Sequence, residues 1–269
     1  MKCLYPVLLK DGVRPHIVAC GRCVVCREMR VRSWFVRIMA EVAECDYARF
    51  LTLTYDDDHI PPGRNLKHED WQLYVKRVRK ELSVRYGVRC KYYMCGEYGG
   101  FSGRPHYHAI MMMYGNMPDR EDGDKTSSLD DLLRSKWTCG IVDVGYVSDK
   151  SVRYCIGYVN KLASKHIGER VRPYQRMSQG LGYSYLAKYE DQLAERKYIS
   201  YRGVKYDVPR YYRDKSDKVN NAIMQQDYDD RSYELLESNY WDKVRNIKDK
   251  ARQVERNIEA RKSIARNKL

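Results

Sequence analysis

Residues 103–113 read GRPHYHAIMMM, a loop that enters a β-strand with two histidines near its start. Successive side chains of a strand point to opposite faces, so His106 and His108 share one face and Tyr107 lies on the other. Two imidazoles on one face predict a metal site. The alternative is that both histidines are hydrogen-bonded residues of a polar strand.

The stretch just before it, residues 92–99, reads YYMCGEYG and predicts a second strand that ends at a carboxylate. The glycines between the two stretches favour a turn back into an antiparallel pair. Glu97 would then lie beside His106 and His108. Two nitrogens and one carboxylate leave room on a divalent ion for water and a substrate oxygen, as Lewis-acid catalysis on a phosphate requires.

The sequence on either side of this pair alternates between helical and strand patterns. Helical patterns occur over residues 27–45, 70–82, 129–137 and 152–162. Strand patterns occur over residues 49–55, 141–147, 197–201 and 203–208. This order predicts an α+β fold in which a central antiparallel sheet is backed by helices.

Three regions are expected along the chain: a cysteine-rich segment over residues 1–30, a core with accessory elements over 31–215, and a charged tail over 216–269. A polar, acidic surface loop is expected over 115–128. The tail is expected to be helical from Asp229. It lacks a wide apolar stripe, which predicts a solvated segment that binds DNA or a host replication protein.

The first region carries Cys3 and then the doubled C-x-x-C motif formed by Cys20, Cys23 and Cys26. A turn of this spacing can present thiolates to one ion, and Cys3 could supply the fourth ligand of a tetrahedral structural zinc site. An iron–sulfur cluster fits less well, because the bacterial ferredoxin spacing places a fourth cysteine where Arg30 stands, although Cys45 could replace it. Unliganded thiols in a turn are the remaining alternative.

Composition favours a nucleic-acid partner and no membrane. The net charge of +14 favours a polyanion, and 25 Tyr against 3 Phe supply rings that can stack on bases. No apolar stretch approaches the roughly 20 residues that span a bilayer, and residues 1–18 lack the apolar segment of a signal peptide. The nine cysteines are therefore expected to be cytosolic thiols or metal ligands rather than disulfides.

A second chemical motif lies on the predicted helix over residues 152–162. Residues 148–151, SDKS, predict its N-terminal cap. Tyr154 and Tyr158 are one helical turn apart, and Lys161 follows on nearly the same face. Tyrosines four apart also arise by chance in so tyrosine-rich a chain, so an aromatic stripe packed on the sheet is the alternative.

Together, these motifs resemble the HUH endonucleases. They comprise an aromatic strand ending Thr54-Tyr55, a histidine pair flanking one bulky residue, a glutamate nine residues before the pair, and Tyr-x-x-x-Tyr-Val-Asn-Lys from Tyr154. More closely, they are similar to the rolling-circle replication initiators of microviruses, which are small single-stranded DNA phages. The cysteine-rich start and tryptophan-bearing helix resemble the gokushovirus branch. The resemblance covers roughly residues 1–215 and implies an RRM/ferredoxin-like HUH core.

The resemblance implies that Glu97, His106 and His108 bind Mg²⁺ or Mn²⁺ and that Tyr154 and Tyr158 are nucleophiles. Such an enzyme nicks and rejoins single-stranded DNA at the viral origin through a 5′-phosphotyrosine and leaves a 3′ hydroxyl that primes synthesis. It would act in the cytoplasm of the bacterial host with a host helicase and the replication machinery. The alternatives are an HUH transposase or relaxase, or a noncatalytic, zinc-stabilised protein that binds single-stranded nucleic acid.

Three basic residues are candidate partners of the DNA phosphates. Lys161 is expected to lower the pKa of a tyrosine or to neutralise the scissile phosphate, the alternative being an ordinary solvated lysine. Arg104 precedes the histidines and Arg153 precedes Tyr154, so both are candidate DNA contacts. The sequence departs from related initiators at Gly157, where a lysine is expected before the second tyrosine.

Overall fold

The computed structural model describes residues 3–9, 16–100, 102–116, 129–161 and 170–235, together with 249, 253 and 256. At 8, 9, 16, 17, 158–161 and 227–235 it describes the backbone alone. The loop expected over 115–128 therefore lies almost entirely outside the described residues. Two compact units are distinguished, one formed by Trp34–Glu190 with Tyr201–Val204, the other by Met1–Ser33, Asp191–Ser200 and Lys205–Leu269.

A five-stranded antiparallel sheet forms the centre of the first unit. Its strands are β3 (Tyr47–Tyr55), β4 (Arg89–Tyr98), β5 (Pro105–Tyr114), β6 (Gly140–Tyr146) and β7 (Tyr174–Met177), in the order β6-β3-β5-β4-β7. The histidine strand, β5, lies in the middle and pairs with β3 on one side and β4 on the other. The predicted α+β fold with a central antiparallel sheet is confirmed.

The remaining elements are seven helices and two small sheets within the described part of the chain. The helices are α1 (Val24–Glu44), α2 (His68–Tyr86), α3 (Leu129–Ser135), α4 (Asp149–Lys161), α5 (Tyr183–Arg196), α6 (Arg210–Arg213) and α7 (Asp217–Leu235). The small sheets pair β1 (Val7–Leu9) with β2 (His16–Val18) and β8 (Tyr198–Tyr201) with β9 (Val204–Asp207). None of the described helices is long and apolar enough to cross a lipid bilayer.

The odd-numbered positions of β3 and β5 form the core face of the central sheet. Leu51, Leu53 and Tyr107 on this face are fully buried, and Trp71 and Tyr74 of α2 belong to the same apolar cluster. The predicted position of Tyr107 on the face away from the histidines is confirmed. Because an aromatic hydroxyl needs a partner when buried, the Tyr107 O–H donates to the carbonyl of Lys67 at 2.7 Å.

The opposite face of the sheet carries the histidines, and strand register sets their neighbours. His106 lies directly across from Glu97 on β4 and from Thr54 on β3. His108 lies across from Cys95 and Thr52 in the same way. Cross-strand neighbours on one face are about 5 Å apart, so this register alone brings Glu97 to both imidazoles. Helix α4 packs against β4 and β5.

Candidate metal centre and nucleophile

Glu97, His106 and His108 converge on one point of the sheet face. Oε1 of Glu97 lies 2.8 Å from Nε2 of His106 and 2.8 Å from Nε2 of His108. Glu97 and His108 are buried, and His106 is partly exposed. The three residues, hereafter the triad, each offer a ligand atom within 4.8 Å of the others, which is close enough to share one metal ion.

In both histidines, Nδ1, the ring nitrogen that does not face Glu97, contacts a neighbouring group. Nδ1 of His106 lies 3.1 Å from the carbonyl oxygen of Arg104, and Nδ1 of His108 lies 3.0 Å from Oγ1 of Thr52. A carbonyl only accepts, so Nδ1 of His106 carries the proton. In the neutral imidazole this leaves the bare Nε2 facing an oxygen of Glu97. Two lone pairs at that distance require a proton or a metal ion between them, which fits a cation site.

The charge state of the carboxylate also fits a cation site. Burial acts to raise the pKa of Glu97, but hydrogen bonds and electrostatic attraction from His106 and His108 outweigh it and hold the pKa below its ordinary value. The carboxylate is therefore ionised at neutral pH. The triad can offer one anionic oxygen and two imidazole nitrogens to an ion.

Tyr154 stands at the edge of the triad. Its hydroxyl lies 3.4 Å from Oε1 of Glu97, and its ring meets the His108 ring edge-on with centroids 4.9 Å apart. Tyr154 as a whole is 46% exposed, so it lies at the surface of the protein beside the triad. A packed aromatic stripe would bury this ring. The structure therefore brings a partly exposed Tyr154 to the triad.

The other two residues expected on this helix are described by their backbone only. Helix α4 includes Tyr158 and Lys161, but their side chains lie outside the described residues. Their expected roles stay predictions.

Helix α4 is fixed at its first turn by side-chain caps. The backbone N–H of Ser151 donates to Oγ of Ser148 at 3.2 Å, and the N–H of Ser148 donates to Oγ of Ser151 at 2.8 Å. Asp149 accepts hydrogen bonds from the hydroxyl of Tyr201 at 2.8 Å and from Arg202 at 3.2 Å. The predicted cap is confirmed, and it sets the position of the turn that carries Tyr154.

Two buried cysteines lie beneath the triad. Sγ of Cys95 on β4 lies 3.6 Å from Sγ of Cys155 on α4, and Cys155 also donates to the carbonyl of His108 at 3.5 Å. Sequence reasoning assigned no role to either thiol or to Thr52. The positions of the two cysteines could have indicated their proximity to the site, because Cys95 is two residues before Glu97 and Cys155 follows Tyr154 directly. These small side chains let α4 approach the sheet.

Arg104 and Arg153 both engage neighbouring groups within their own unit. Arg104 donates to the carbonyl of Tyr55 at 2.7 Å and pairs with Asp57, which fastens the loop before β5 to the end of β3. The guanidinium of Arg153 lies 4.0 Å from the ring centroid of Phe35. Their proposed contacts with DNA stay predictions.

The four cysteines near the start of the chain also come together. The Sγ atoms of Cys3, Cys20, Cys23 and Cys26 all lie within 4.8 Å of one another. This second cluster belongs to the other compact unit. The sequence thus predicted both groups of candidate metal ligands within the described part of the chain.

Comparison with known proteins adds the family. Residues 48–163 match the model of a family described as replication-associated protein ORF2. This range contains the triad, Tyr154 and Tyr158. Over these residues the chain is similar to that family of replication-associated proteins.

Its relatives come from phages. The chain is 32% identical to Replication-associated protein ORF4 of Chlamydia phage 1 over 214 residues, which is 72% of this chain and 52% of the relative. It is 28% identical to Replication-associated protein VP4 of Bdellovibrio phage phiMH2K, covering 72% of this chain and 66% of the relative. It is 27% identical to Replication-associated protein ORF2 of Spiroplasma virus 4, covering 76% and 68%. The chain thus spans about half to two thirds of these relatives, and its expected kinship with phage replication initiators is confirmed.

Proposed function

We propose that this protein nicks and rejoins single-stranded DNA at a replication origin through a covalent 5′-phosphotyrosine on Tyr154. The observation that carries the proposal is the 3.4 Å approach of the Tyr154 hydroxyl to the Glu97 oxygen that also meets both histidines. An accessible nucleophile at a cation site is the arrangement that phosphoryl transfer to a side chain needs. The similarity to replication-associated proteins supports DNA as the substrate.

The triad would hold Mn²⁺ or Mg²⁺. Magnesium takes oxygen ligands almost exclusively, so two imidazole nitrogens beside one carboxylate favour Mn²⁺. When bound, the ion supplies positive charge that stabilises the nonbridging oxygens of a phosphodiester in the transition state. The contacts of the two Nδ1 atoms with the Arg104 carbonyl and the Thr52 hydroxyl keep both imidazoles aimed at the ion.

Tyr154 carries the covalent chemistry. Its oxygen forms an ester with the 5′ phosphate while the bond from phosphorus to the 3′ oxygen breaks, and the released 3′ hydroxyl takes up a proton. The transfer exchanges one phosphodiester for another, so the bond energy is kept for rejoining. Tyr158, one helical turn further along α4, would attack the next copy of the origin. The 3′ hydroxyl freed by that cut would then attack the Tyr154 ester, which closes the circle and returns the Tyr154 hydroxyl. Lys161 would neutralise the phosphate between the two tyrosines.

The charge of the chain as a whole fits a polyanionic substrate. The net charge of +14 favours binding of the DNA backbone through counterion release. We expect the protein to act on the viral origin in the cytoplasm of the bacterial host, with a host helicase opening the duplex behind the nick.

The decisive experiment traps the adduct. Purified protein is incubated with Mn²⁺ and labelled single-stranded DNA from its own genome, and the products are separated by denaturing electrophoresis. A labelled protein adduct is expected for the native chain, and none for His106→Ala or for the double variant Tyr154→Phe, Tyr158→Phe. The matched control is Tyr146→Phe, because Tyr146 is 81% exposed on the edge strand β6 and its loss should leave the adduct unchanged.

The experiment also separates the alternatives. Tight binding of single-stranded DNA without an adduct from any strand would replace the proposal with a noncatalytic, zinc-stabilised binding protein. The single variants Tyr154→Phe and Tyr158→Phe complete the series. Cleavage that survives loss of one tyrosine without a defect in joining would favour a transposase or relaxase that uses a single nucleophile.

A further inference from the structure

The four-cysteine cluster has the dimensions of a site for one metal ion. Sγ of Cys3 lies 4.0 Å from Sγ of Cys23, and Sγ of Cys20 lies 3.9 Å from Sγ of Cys26. In a tetrahedral Zn²⁺ site the metal–sulfur distance of about 2.3 Å places the sulfurs about 3.8 Å apart. The two measured pairs match this spacing, and all four atoms lie within 4.8 Å of one another.

Backbone amides surround these sulfurs in a way that suits thiolates. The N–H of Cys20 points at Sγ of Cys3 at 3.2 Å, that of Cys23 at Sγ of Cys20 at 3.3 Å, and that of Cys26 at Sγ of Cys23 at 3.4 Å. A neutral thiol is a weak acceptor, whereas a thiolate bound to a metal gains from each such donor. The left-handed Gly21, with φ of 71°, allows the turn that folds these amides inward.

The apolar packing around the cluster is too small to hold it together. Within the described part of the chain, its buried members are Cys3, Leu4, Cys23 and Cys26, so three of the four are the cysteines themselves. Small units with little apolar core are commonly stabilised by a metal or by disulfides. Here the sulfurs converge from three places: the segment at Cys3, the turn at Cys20, and the first turn of α1.

We propose that Cys3, Cys20, Cys23 and Cys26 bind one Zn²⁺ in a closed tetrahedral site that stabilises the start of the chain. Four protein ligands leave no position for water or substrate, which defines a structural rather than a catalytic ion. Four sulfurs this close enclose one ion and leave no room for a cluster of several irons and sulfides. This site is separate from the triad, and the ion it takes is different, because thiolates select zinc over Mn²⁺ and Mg²⁺.

The first test measures zinc in the intact protein. Chain purified without chelator should contain about one zinc per molecule by mass spectrometry, and a mercurial reagent that blocks thiols should release it to a colorimetric indicator. Cys20→Ser should lose the zinc. Cys45→Ser, which removes a half-buried thiol outside the cluster, and His106→Ala, which removes a triad ligand, should both keep it.

Two outcomes overturn the proposal directly. If His106→Ala loses the zinc while Cys20→Ser keeps it, the ion belongs to the triad. If the native chain, purified with or without added zinc and denatured without reductant, shows five titratable thiols instead of all nine, two disulfides occupy the cluster in place of the metal.

Cobalt exchange gives a readout that does not depend on the folding of a variant. Native chain loaded with Co²⁺ in place of zinc should show the thiolate-to-cobalt charge-transfer absorption and the intense visible bands of tetrahedral cobalt. A weak octahedral spectrum without charge transfer would contradict four thiolate ligands. Excess Mn²⁺ should leave the cobalt spectrum unchanged, since it occupies the triad.

Discussion

The hydroxyl of Tyr154 on α4 lies 3.4 Å from the Glu97 oxygen on β4 that meets both histidine rings at 2.8 Å. Two elements far apart in the sequence thus supply the proposed nucleophile and the candidate metal ligands. The contact is maintained by the buried face of α4, where Val152, Cys155 and Ile156 are fully buried. The geometry of any reaction at this site therefore depends on how α4 rests on the sheet.

Thr52 is expected to tune the metal site through His108. The change Thr52→Val removes the hydroxyl that lies 3.0 Å from Nδ1 of His108 and leaves the ring without that partner. Loss of such an outer partner costs about 10- to 100-fold in metal affinity. Titration of Mn²⁺ followed by electron paramagnetic resonance should detect this loss, and adduct formation should need correspondingly more Mn²⁺.

The matched control for this change is Thr54→Val. Thr54 lies on the same face of β3 but opposite His106, whose Nδ1 is held by the carbonyl of Arg104. Its loss should leave Mn²⁺ affinity within about twofold of the native chain. Equal losses in the two variants would mean that Thr52 does not act through its hydrogen bond.

We predict that Glu41 contributes strongly to the folding stability of the first unit. This fully buried carboxylate accepts hydrogen bonds from Lys91 at 2.6 Å, from the Tyr114 hydroxyl, and from the backbone N–H of Gly182 just before α5. Glu41→Ala leaves three donors unpaired, one of them charged, and should lower the free energy of unfolding by about 3 to 5 kcal/mol. Urea denaturation measures the change.

A nearby residue on the same helix provides the comparison for Glu41. Glu44 pairs with Lys188 at 3.2 Å on the surface of the same unit. Exposed pairs contribute about 0 to 1 kcal/mol, so Glu44→Ala should hardly move the urea midpoint. A small effect of Glu41→Ala, similar to that of Glu44→Ala, would contradict the role of the buried carboxylate.

The free energy of unfolding should decrease at alkaline pH because the Cys90 thiol is buried. Burial in the core raises the pKa of this thiol to about 12, against about 8.5 in an unfolded chain. Because the pKa of Cys90 is higher in the folded state, the unfolded chain ionises first as pH rises. The contribution of Cys90 to the free energy of unfolding is therefore fully present below about pH 8.5 and is lost as pH rises toward 12. At about pH 10 the loss should be about 2 kcal/mol.

The contribution of Cys90 is isolated by comparing native chain and Cys90→Ala. Urea midpoints measured in reductant at about pH 7 and about pH 10 should fall less in the variant than in the native chain, although other groups make both curves slope. Identical slopes would mean that the Cys90 thiol does not control this part of the pH dependence.

The elements nearest the site were predictable because their patterns are local. Strands β3 to β6 and helices α1 to α4 follow the predicted segments, since each has a buried face at the right spacing. The approach of Glu97 to the histidines was predictable too. A short glycine turn joins the two strands, with the N–H of Gly99 donating to the carbonyl of Arg104 at 2.9 Å, and such a turn fixes the register.

The sequence analysis did not predict, or placed wrongly, several elements that depend on contacts with residues far away in the sequence. Strand β7 has only four residues, and its pairing with β4, as in Gln175 opposite Cys95, makes it a strand. Helix α5 was not predicted. Helix α7 begins at Asp217 rather than at the predicted Asp229. Ser216 indicates this start, because its Oγ accepts a hydrogen bond from the N–H of Val219 at 3.1 Å and so caps the helix.

The distance from Tyr154 to Glu97 could not be derived from sequence at all. Helical spacing places Tyr154 and Tyr158 one turn apart, but nothing local indicates which face of the sheet α4 covers. That outcome depends on the long-range packing of Cys155 against Cys95 and on the hydrogen bond from Tyr201 to Asp149. The resemblance to a family supplied what local physics could not.

The cap of α4 should matter for both stability and chemistry. Ser148→Ala removes the oxygen that accepts from the N–H of Ser151 at 3.2 Å and should cost about 1 kcal/mol in the free energy of unfolding. Ser148→Asp restores an acceptor and adds a charge favourable to a helix N-terminus, so it should be at least as stable as the native chain. Urea midpoints test both changes, and adduct yield with Mn²⁺ should follow them, because fraying of the first turn loosens the position of Tyr154. An Asp variant as unstable as the Ala variant would mean that the Ser148 hydroxyl packs against its surroundings instead of capping α4.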